Sequence, residues 1–378
     1  MNYYLGLDIG SSSIKAALVK VDSGKSIGVV QEPEKEMGML ALKNGWAEQK
    51  PNDWWLHICN AIKRLKTEHN ISRTQIKGIG ISYQMHGLVL VDKAGNPLRK
   101  SIIWCDSRAV EIGNKAFEDI GTDKCSSQLL NSPANFTASK LKWVKDNEPE
   151  VFNNIHKFML PGDYIAYKFS NTMNTTISGL SEGIFWDFEN DSVADFLLEH
   201  YKIDKALVPD IVETFGIQSL VDETGEAESG IAVGTPILYR AGDQPNNALS
   251  LNVFNPGEVA ATGGTSGVVY AVTDSLSVKE SARVNNFAHV NYKKSDHPRI
   301  GKLLCINGAG IQYRWLLNNL SVSSYEEMNN LASEIPIGSD GVCVIPFGNG
   351  AERMLNNKDI GTRIANVNLN NHHKGHLC

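Results

Sequence analysis

An α/β fold divided over two domains is what this sequence predicts, on three observations. Short apolar, β-rich runs alternate with stretches of helical period. The chain has 378 residues, more than one hydrophobic core usually serves. A strand–turn–strand pattern with a Gly and Ser/Thr turn occurs at residues 5–15 and again at 259–269. Such an echo suggests two related lobes, each offering a polar turn to a shared cleft.

Residues 3–7 and 14–21 are apolar runs around Asp8-Ile-Gly-Ser-Ser-Ser13, which reads as strand, tight polar turn, strand. The spacing GxGxxG of a dinucleotide fold is absent, which argues against that fold. Residues 51–67 predict a helix. Asn52 or Asp53 can cap it after Pro51, and Trp54, Ile58, Ile62 and Leu65 share one face. Residues 77–81 and 88–92 read as strands, Gly95-Asn-Pro97 as a turn, and residues 101–104 resume the strand. From about 111 to 205 helix and loop predominate, and no low-complexity linker occurs. A boundary is expected near 230–240, where residues 226–230 give way to a strand at 236–240. The expected domains are therefore 1–235 and 236–378.

Bulk properties exclude some partners. The formal net charge is −6, which argues against nucleic acid or an anionic membrane as the main partner. Six cysteines at 59, 105, 125, 305, 343 and 378 form no CxxC and no zinc spacing. They read as free, mostly buried thiols of a reducing compartment. The start has no basic and apolar leader, and no window reaches the length of a membrane span. A soluble, cytoplasmic protein is expected, with a homodimer left open as its assembly.

Each candidate site has a plain reading beside its chemical one. The two Gly and Ser/Thr turns could cradle phosphate on successive N–H groups, with Asp8 placed to hold a hydrated Mg²⁺, or they could be ordinary hairpin turns. Asp243 follows a strand and Gly242, where a carboxylate can act as general base or simply cap a helix. Gln84, Met85 and His86 interrupt a β-rich run. Gly87 beside them favours close approach by a ligand over a core histidine and a gap-filling methionine. Trp104-Cys-Asp-Ser-Arg108 offers an aromatic plate, an acid and a fork donor, or a turn closed by a surface ion pair. Trp46-Ala-Glu-Gln49 is loop filler or a set of polar groups aimed into a cleft.

Together these segments resemble the FGGY carbohydrate kinases, and within them the xylulokinase group. The resemblance runs in order through DIGSSSIK at 8–15, WAEQKPNDWW at 46–55, YQMHG at 83–87, WCDSR at 104–108, FTASKLKWVKDNEPEVF at 136–152, AGDQPNNA at 241–248, GGTSG at 263–267 and PFGNGAER at 346–353. Asn135 stands in a slot the family usually fills with Gly or another small or aromatic residue. The resemblance implies an actin-like, ribonuclease-H-like two-domain fold and ATP-dependent phosphorylation of a sugar with Mg²⁺.

Carried over by position, Asp243 would be the general base. Met85, His86, Trp104, Asp106 and Gln244 would contact the sugar. Asp8, Gly10, Ser11 and Ser12 would serve phosphate, with Asp8 also serving the metal. Gly264 and Thr265 would hold the β- and γ-phosphates, and Gly308 and Gln312 match a nucleotide-side segment. D-xylulose is the expected substrate, with ribulose or glycerol as alternatives, since Gln244 stands where xylulokinases commonly carry Asn. The family continues beyond LNLNNHHKGHLC, so a truncated chain with an incomplete second domain is expected. A silent sugar-binding fragment is one rival reading. An actin-like ATPase or chaperone lobe is another, and it gives no reason to hold Met85, His86 and Trp104 together.

Overall fold

The computed structural model describes residues 1–264, 266–294, 298–348, 352–356, 358 and 360–378. The chain forms two compact units. One comprises Met1–Pro256, Val272–Ser281 and Asn286–Gly301, the other Gly257–Ala271, Ala282–Asn285 and Lys302–Cys378.

The first unit is built on a six-stranded sheet. Strands β1 (Tyr3–Ile9), β2 (Ile14–Lys20) and β3 (Ser26–Glu32) form antiparallel hairpins. Strand β4 (Ile76–Tyr83) lies parallel to β1. Strand β5 (Phe215–Leu220) is antiparallel to β6 (Pro236–Gly242), and β6 is parallel to β4. The order is β5-β6-β4-β1-β2-β3. Side chains alternate as the two-residue period requires: Tyr3, Leu5, Leu7 and Ile9 are buried on β1, and Ile14, Ala16 and Leu18 on β2.

Helix α1 (Pro51–Glu68) packs on β2 and β3, and Trp54, Ile58, Ile62 and Leu65 are all buried as their spacing predicts. Its cap differs from expectation. Lys50 is the N-cap and makes no side-chain cap bond, while Pro51 takes the first helical position. Asn52 Oδ1 instead accepts the hydroxyl of Tyr164 at 2.5 Å. Between 111 and 205 lie helices α2 (Thr137–Asn147), α3 (Pro161–Ser170) and α4 (Ile177–Glu182), with only short strands among them.

The expected division at 235/236 does not coincide with the compact units. Residues 236–242 pair with β4 in the core sheet, so the chain stays in the first unit through Pro256. Beneath β6, Arg240 and Asp163 form a wholly buried ion pair, Nε to Oδ1 at 3.0 Å. Arg240 Nη2 also donates to Asn174 Oδ1 at 2.6 Å, and Asp163 Oδ2 accepts from the Thr175 hydroxyl at 2.9 Å.

In the second unit, β7 (Val259–Gly263) pairs antiparallel with β8 (Gly267–Thr273), the second hairpin the sequence announced. Helix α5 (Asp243–Ser250) precedes it in the first unit, and α6 (Ala309–Asn319) follows it in the second. A short antiparallel pair joins Cys343–Ile345 to Arg363–Ala365 in the same unit. All six cysteines are free, but only Cys125 is fully buried and Cys105 and Cys343 are exposed, against the expectation of mostly buried thiols. Among the described residues no helix is long and apolar enough to cross a membrane.

Candidate functional site

Three parallel strands end at one level in the first unit. Ile9 of β1 and Gly242 of β6 are both in register with Tyr83 of β4, and Asp8 is in register with Ser82. The carboxyl ends of parallel strands are where open α/β sheets collect ligands. Asp8 and Asp243 both emerge there. Gly242 is the N-cap of α5 and Asp243 is its first helical residue, so Asp243 is not the capping aspartate that sequence left as the plain alternative. Gly242 is required by packing: a Cβ there would lie 2.5 Å from Glu182 Oε2 and 2.6 Å from Met85 Cγ.

The charge of Asp8 bears on Asp243. Burial pushes the Asp243 carboxyl up to about 7, the negative charge of Asp8 adds to the rise, and hydrogen bonds from Gln244 oppose it. Burial also raises Asp8, against the charge of Lys15, whose Nζ is 4.0 Å away, and a bond from Ser82. An oxyacid chemistry that needs a base near neutral pH finds one here. Partly exposed carboxylates at this level also suit Mg²⁺, which keeps most of its waters and takes one or two carboxylates.

The first turn is braced. Gly10 N–H donates to Ser13 O at 3.1 Å, Met37 N–H to Ser12 O at 2.8 Å, and Gln49 Nε2 to Ser11 O at 2.7 Å. Trp104 is 50% exposed and its Nε1–H donates to Ser11 Oγ at 3.3 Å, so this plate stands beside the turn.

On the other side, His86 has a left-handed backbone with φ 60°. Its Nδ1–H donates to the carbonyl of Glu182 at 2.9 Å, which makes Nε2 the acceptor of the ring. Phe136 meets the ring edge-on at 4.8 Å. Met85 is only 5% exposed and lies against Gly242, below the surface. Gln244 is partly exposed beside Asp243.

Three expectations need correction. Asp106, expected to contact sugar, is wholly buried. Its carboxylate accepts from Ala47 N at 2.5 Å and from Arg108 Nη2 at 2.6 Å, so it anchors its own segment. The pairing there is not at the surface. Arg108 is buried between the rings of Trp46 at 3.8 Å and Trp143 at 4.8 Å, and its Nη1 is 2.8 Å from Glu48 Oε1. Gly87 serves packing, because a Cβ would lie 2.5 Å from Pro161 Cγ. Gly87→Ala is therefore expected to destabilise the first unit by about 1–3 kcal/mol, read as a lowered midpoint in urea. An unchanged midpoint would return Gly87 to the ligand-approach reading.

Four further residues hold this site: the sequence reading noted Gln49 and Asn135 without a definite role, and did not single out Lys140 and Glu182. Gln49 Oε1 accepts from Trp54 Nε1 at 3.1 Å while its amide holds Ser11. Asn135 Nδ2 donates to Asp106 O at 2.5 Å, and Lys140 Nζ to His86 O at 2.9 Å. Glu182 is 1% exposed, and burial first, then the charges of Asp243 and Asp163, push its carboxyl well above the usual range. Lys140 carried a signal: it lies between Thr137, Leu141 and Val144 on the buried face of α2.

In the second unit Gly264 follows β7, and its N–H donates to Ser266 O at 2.9 Å. Thr265 lies outside the described residues, as do residues 349–351 of the PFGNGAER stretch. Gly308 precedes α6, where a Cβ would lie 1.4 Å from Pro346 O. Gln312 is nearly buried, and its Oε1 accepts the Thr362 hydroxyl at 3.3 Å. Among the described residues, Asp340, His372 and His376 could gather round a metal ion. Both imidazoles, however, accept backbone N–H groups on Nδ1, from Asn368 at 3.0 Å and His373 at 3.2 Å. Each Nε2 therefore carries the proton that a metal would have to displace.

Comparison with known proteins identifies a family and a shared fold. The FGGY family of carbohydrate kinases, N-terminal domain, matches residues 3–250. The chain is 28% identical to the xylulose kinase of Haemophilus influenzae over 99% of its own length and 76% of that protein. It is 30% identical to the xylulose kinase of Staphylococcus epidermidis over 91% and 67%. The ligand-bound xylulose kinase of Lactobacillus acidophilus superposes with a TM-score of 0.88 at 22% identity, over all of this chain and 74% of that one. The glycerol kinase of Plasmodium falciparum reaches 0.86 at 20% identity, again over all of this chain and 74% of that one. The actin-like α/β fold is common to them.

Proposed function

The chain belongs to the FGGY family of carbohydrate kinases, and from that premise we propose that it transfers the γ-phosphoryl group of ATP to a hydroxyl of D-xylulose, giving D-xylulose 5-phosphate. The observation that carries this reading is Asp243. It stands at the carboxyl end of a core strand, beside Asp8, with its carboxyl held up to about 7. The ketose, rather than glycerol or gluconate, is supported by the xylulose kinases among the relatives. Support for the cytoplasm is the set of free thiols.

In the reaction Asp243 accepts the proton of the attacking hydroxyl. The sugar oxygen forms its bond to the γ-phosphorus as the bond to the bridging oxygen of ADP breaks. His86 and Trp104 orient the sugar, with Gln244 beside the base. The Gly10–Ser12 turn and Asp8 face the phosphates, and Asp8 would hold Mg²⁺, which when bound would neutralise charge on the phosphoryl oxygens. Gly264, Thr265, Gly308 and Gln312 of the second unit serve the nucleotide. Domain roles follow the same division: the first unit takes the sugar and the second the adenosine side.

A pH profile follows from the raised carboxyl. The base works ionised, so kcat/KM is expected to rise as pH increases from 5 through about 7. A profile flat from pH 5 to 8 would remove Asp243 from this role. The function itself is tested by coupled ADP release with Mg-ATP and D-xylulose, other ketoses, glycerol or no sugar. Turnover with D-xylulose above all others supports the proposal. Sugar-independent hydrolysis would favour an ATPase, and sugar-raised melting without turnover a silent binding protein.

A further inference from the structure

We infer that Lys140, helped by Asn135, is a positioning residue that clamps the two segments of the sugar side to each other through their backbone carbonyls. Lys140 Nζ donates to His86 O at 2.9 Å and to Ile103 O at 3.0 Å. Asn135 Nδ2 donates to Asp106 O at 2.5 Å. One end of α2 thus grips residue 86 on one segment and residues 103 and 106 on the other, on either side of Trp104. The inference rests on the reading that His86 and Trp104 face the sugar.

The physical case is the burial. Lys140 is wholly buried, and a lysine is almost never so placed without a partner that repays desolvation. Its donors meet no carboxylate; they meet two carbonyls, and charge-assisted bonds to carbonyls are stronger than neutral ones. His86 needs such support, since its left-handed backbone is unfavourable for a residue with a side chain. The clamp also explains why Asn135 occupies a slot the family commonly gives to a small residue: its amide reaches Asp106 O.

The protonation of Lys140 is adjustable. Burial lowers it to about 8, the charges of Asp106, Cys105 and Glu182 oppose this, and Arg108 reinforces it. The clamp should therefore weaken as pH rises past about 8, when the ammonium becomes an amine.

Lys140→Met tests the clamp in the full chain. Amide hydrogen exchange without sugar is expected to rise about tenfold or more over residues 84–88 and 103–108 together. KM for D-xylulose is expected to rise about tenfold with KM for ATP within about twofold, a split that a general loss of folding would not give. The native chain is expected to show a rise in sugar KM between pH 7 and 9 that the variant lacks. Unchanged exchange at both segments overturns the clamp, and so does a parallel rise of both KM values. If Lys140→Met does not fold, Asn135→Ala decides: faster exchange confined to residues 103–108 supports the clamp, and native exchange there refutes it. If the native chain turns over no sugar, the kinase reading fails, and the exchange result alone still decides the clamp.

Discussion

Asp243→Asn is expected to lower kcat by about 10²–10⁴-fold while leaving KM for sugar and ATP nearly unchanged. The amide keeps the shape and the place at the start of α5, and loses only the capacity to take a proton. Stability separates this outcome from misfolding. The folded carboxyl titrates at about 7 where an unfolded one titrates near 3.8, so its ionised form weakens the fold above pH 7. That penalty is absent below the ordinary carboxylate range, where both states are protonated. The amide never carries it. At pH 8 the variant should therefore melt at an equal or higher temperature than the native chain. A variant that retains most of its kcat would show that another group takes the proton.

The second large effect is on stability. Asp163→Ala should cost about 3–5 kcal/mol, because it leaves Arg240 charged and wholly buried without its carboxylate, Asn174 Oδ1 still accepting from it. Burial raises the Asp163 carboxyl, and the charge of Arg240, the Thr175 hydroxyl and the Leu160 N–H oppose the rise. The pair is thus a strained balance that one deletion upsets. Replacing both partners together, Asp163→Leu with Arg240→Met, should recover much of the loss. Urea midpoints of the three variants check this, and a single variant within about 1 kcal/mol of native would mean that water reaches Arg240.

What sequence could and could not reveal follows from the range of the interactions. Local signals were reliable. The Gly and Ser turn after Asp8 is the tip of the β1–β2 hairpin, and the stripe of Trp54, Ile58, Ile62 and Leu65 is the buried face of α1. Asp243 stands after a strand because Gly-Asp there marks a strand end, a short-range feature. Asp106 went wrong because whether a carboxylate faces a ligand or a backbone depends on Ala47 and Arg108, which only the tertiary fold brings to it. Gly87 looked like a ligand approach because Pro161 is distant in sequence. Lys140 reads as a surface lysine until its face is seen to be the buried one. Strand β6 was assigned across the boundary because its composition resembles any strand, while its partner β4 lies far back in the chain.

That pairing has a kinetic consequence. Strand β4 has β1 on one side and β6 on the other, both parallel to it, so its second neighbour is synthesised long after the first. During translation the hairpins of residues 3–32 can close early, but β4 keeps an open edge until residues 236–242 emerge. Asp243 leaves the ribosome directly behind the strand that seals the core. A chain released at residue 235 would be a sheet with an unpaired parallel edge, prone to join its neighbours and unable to phosphorylate anything.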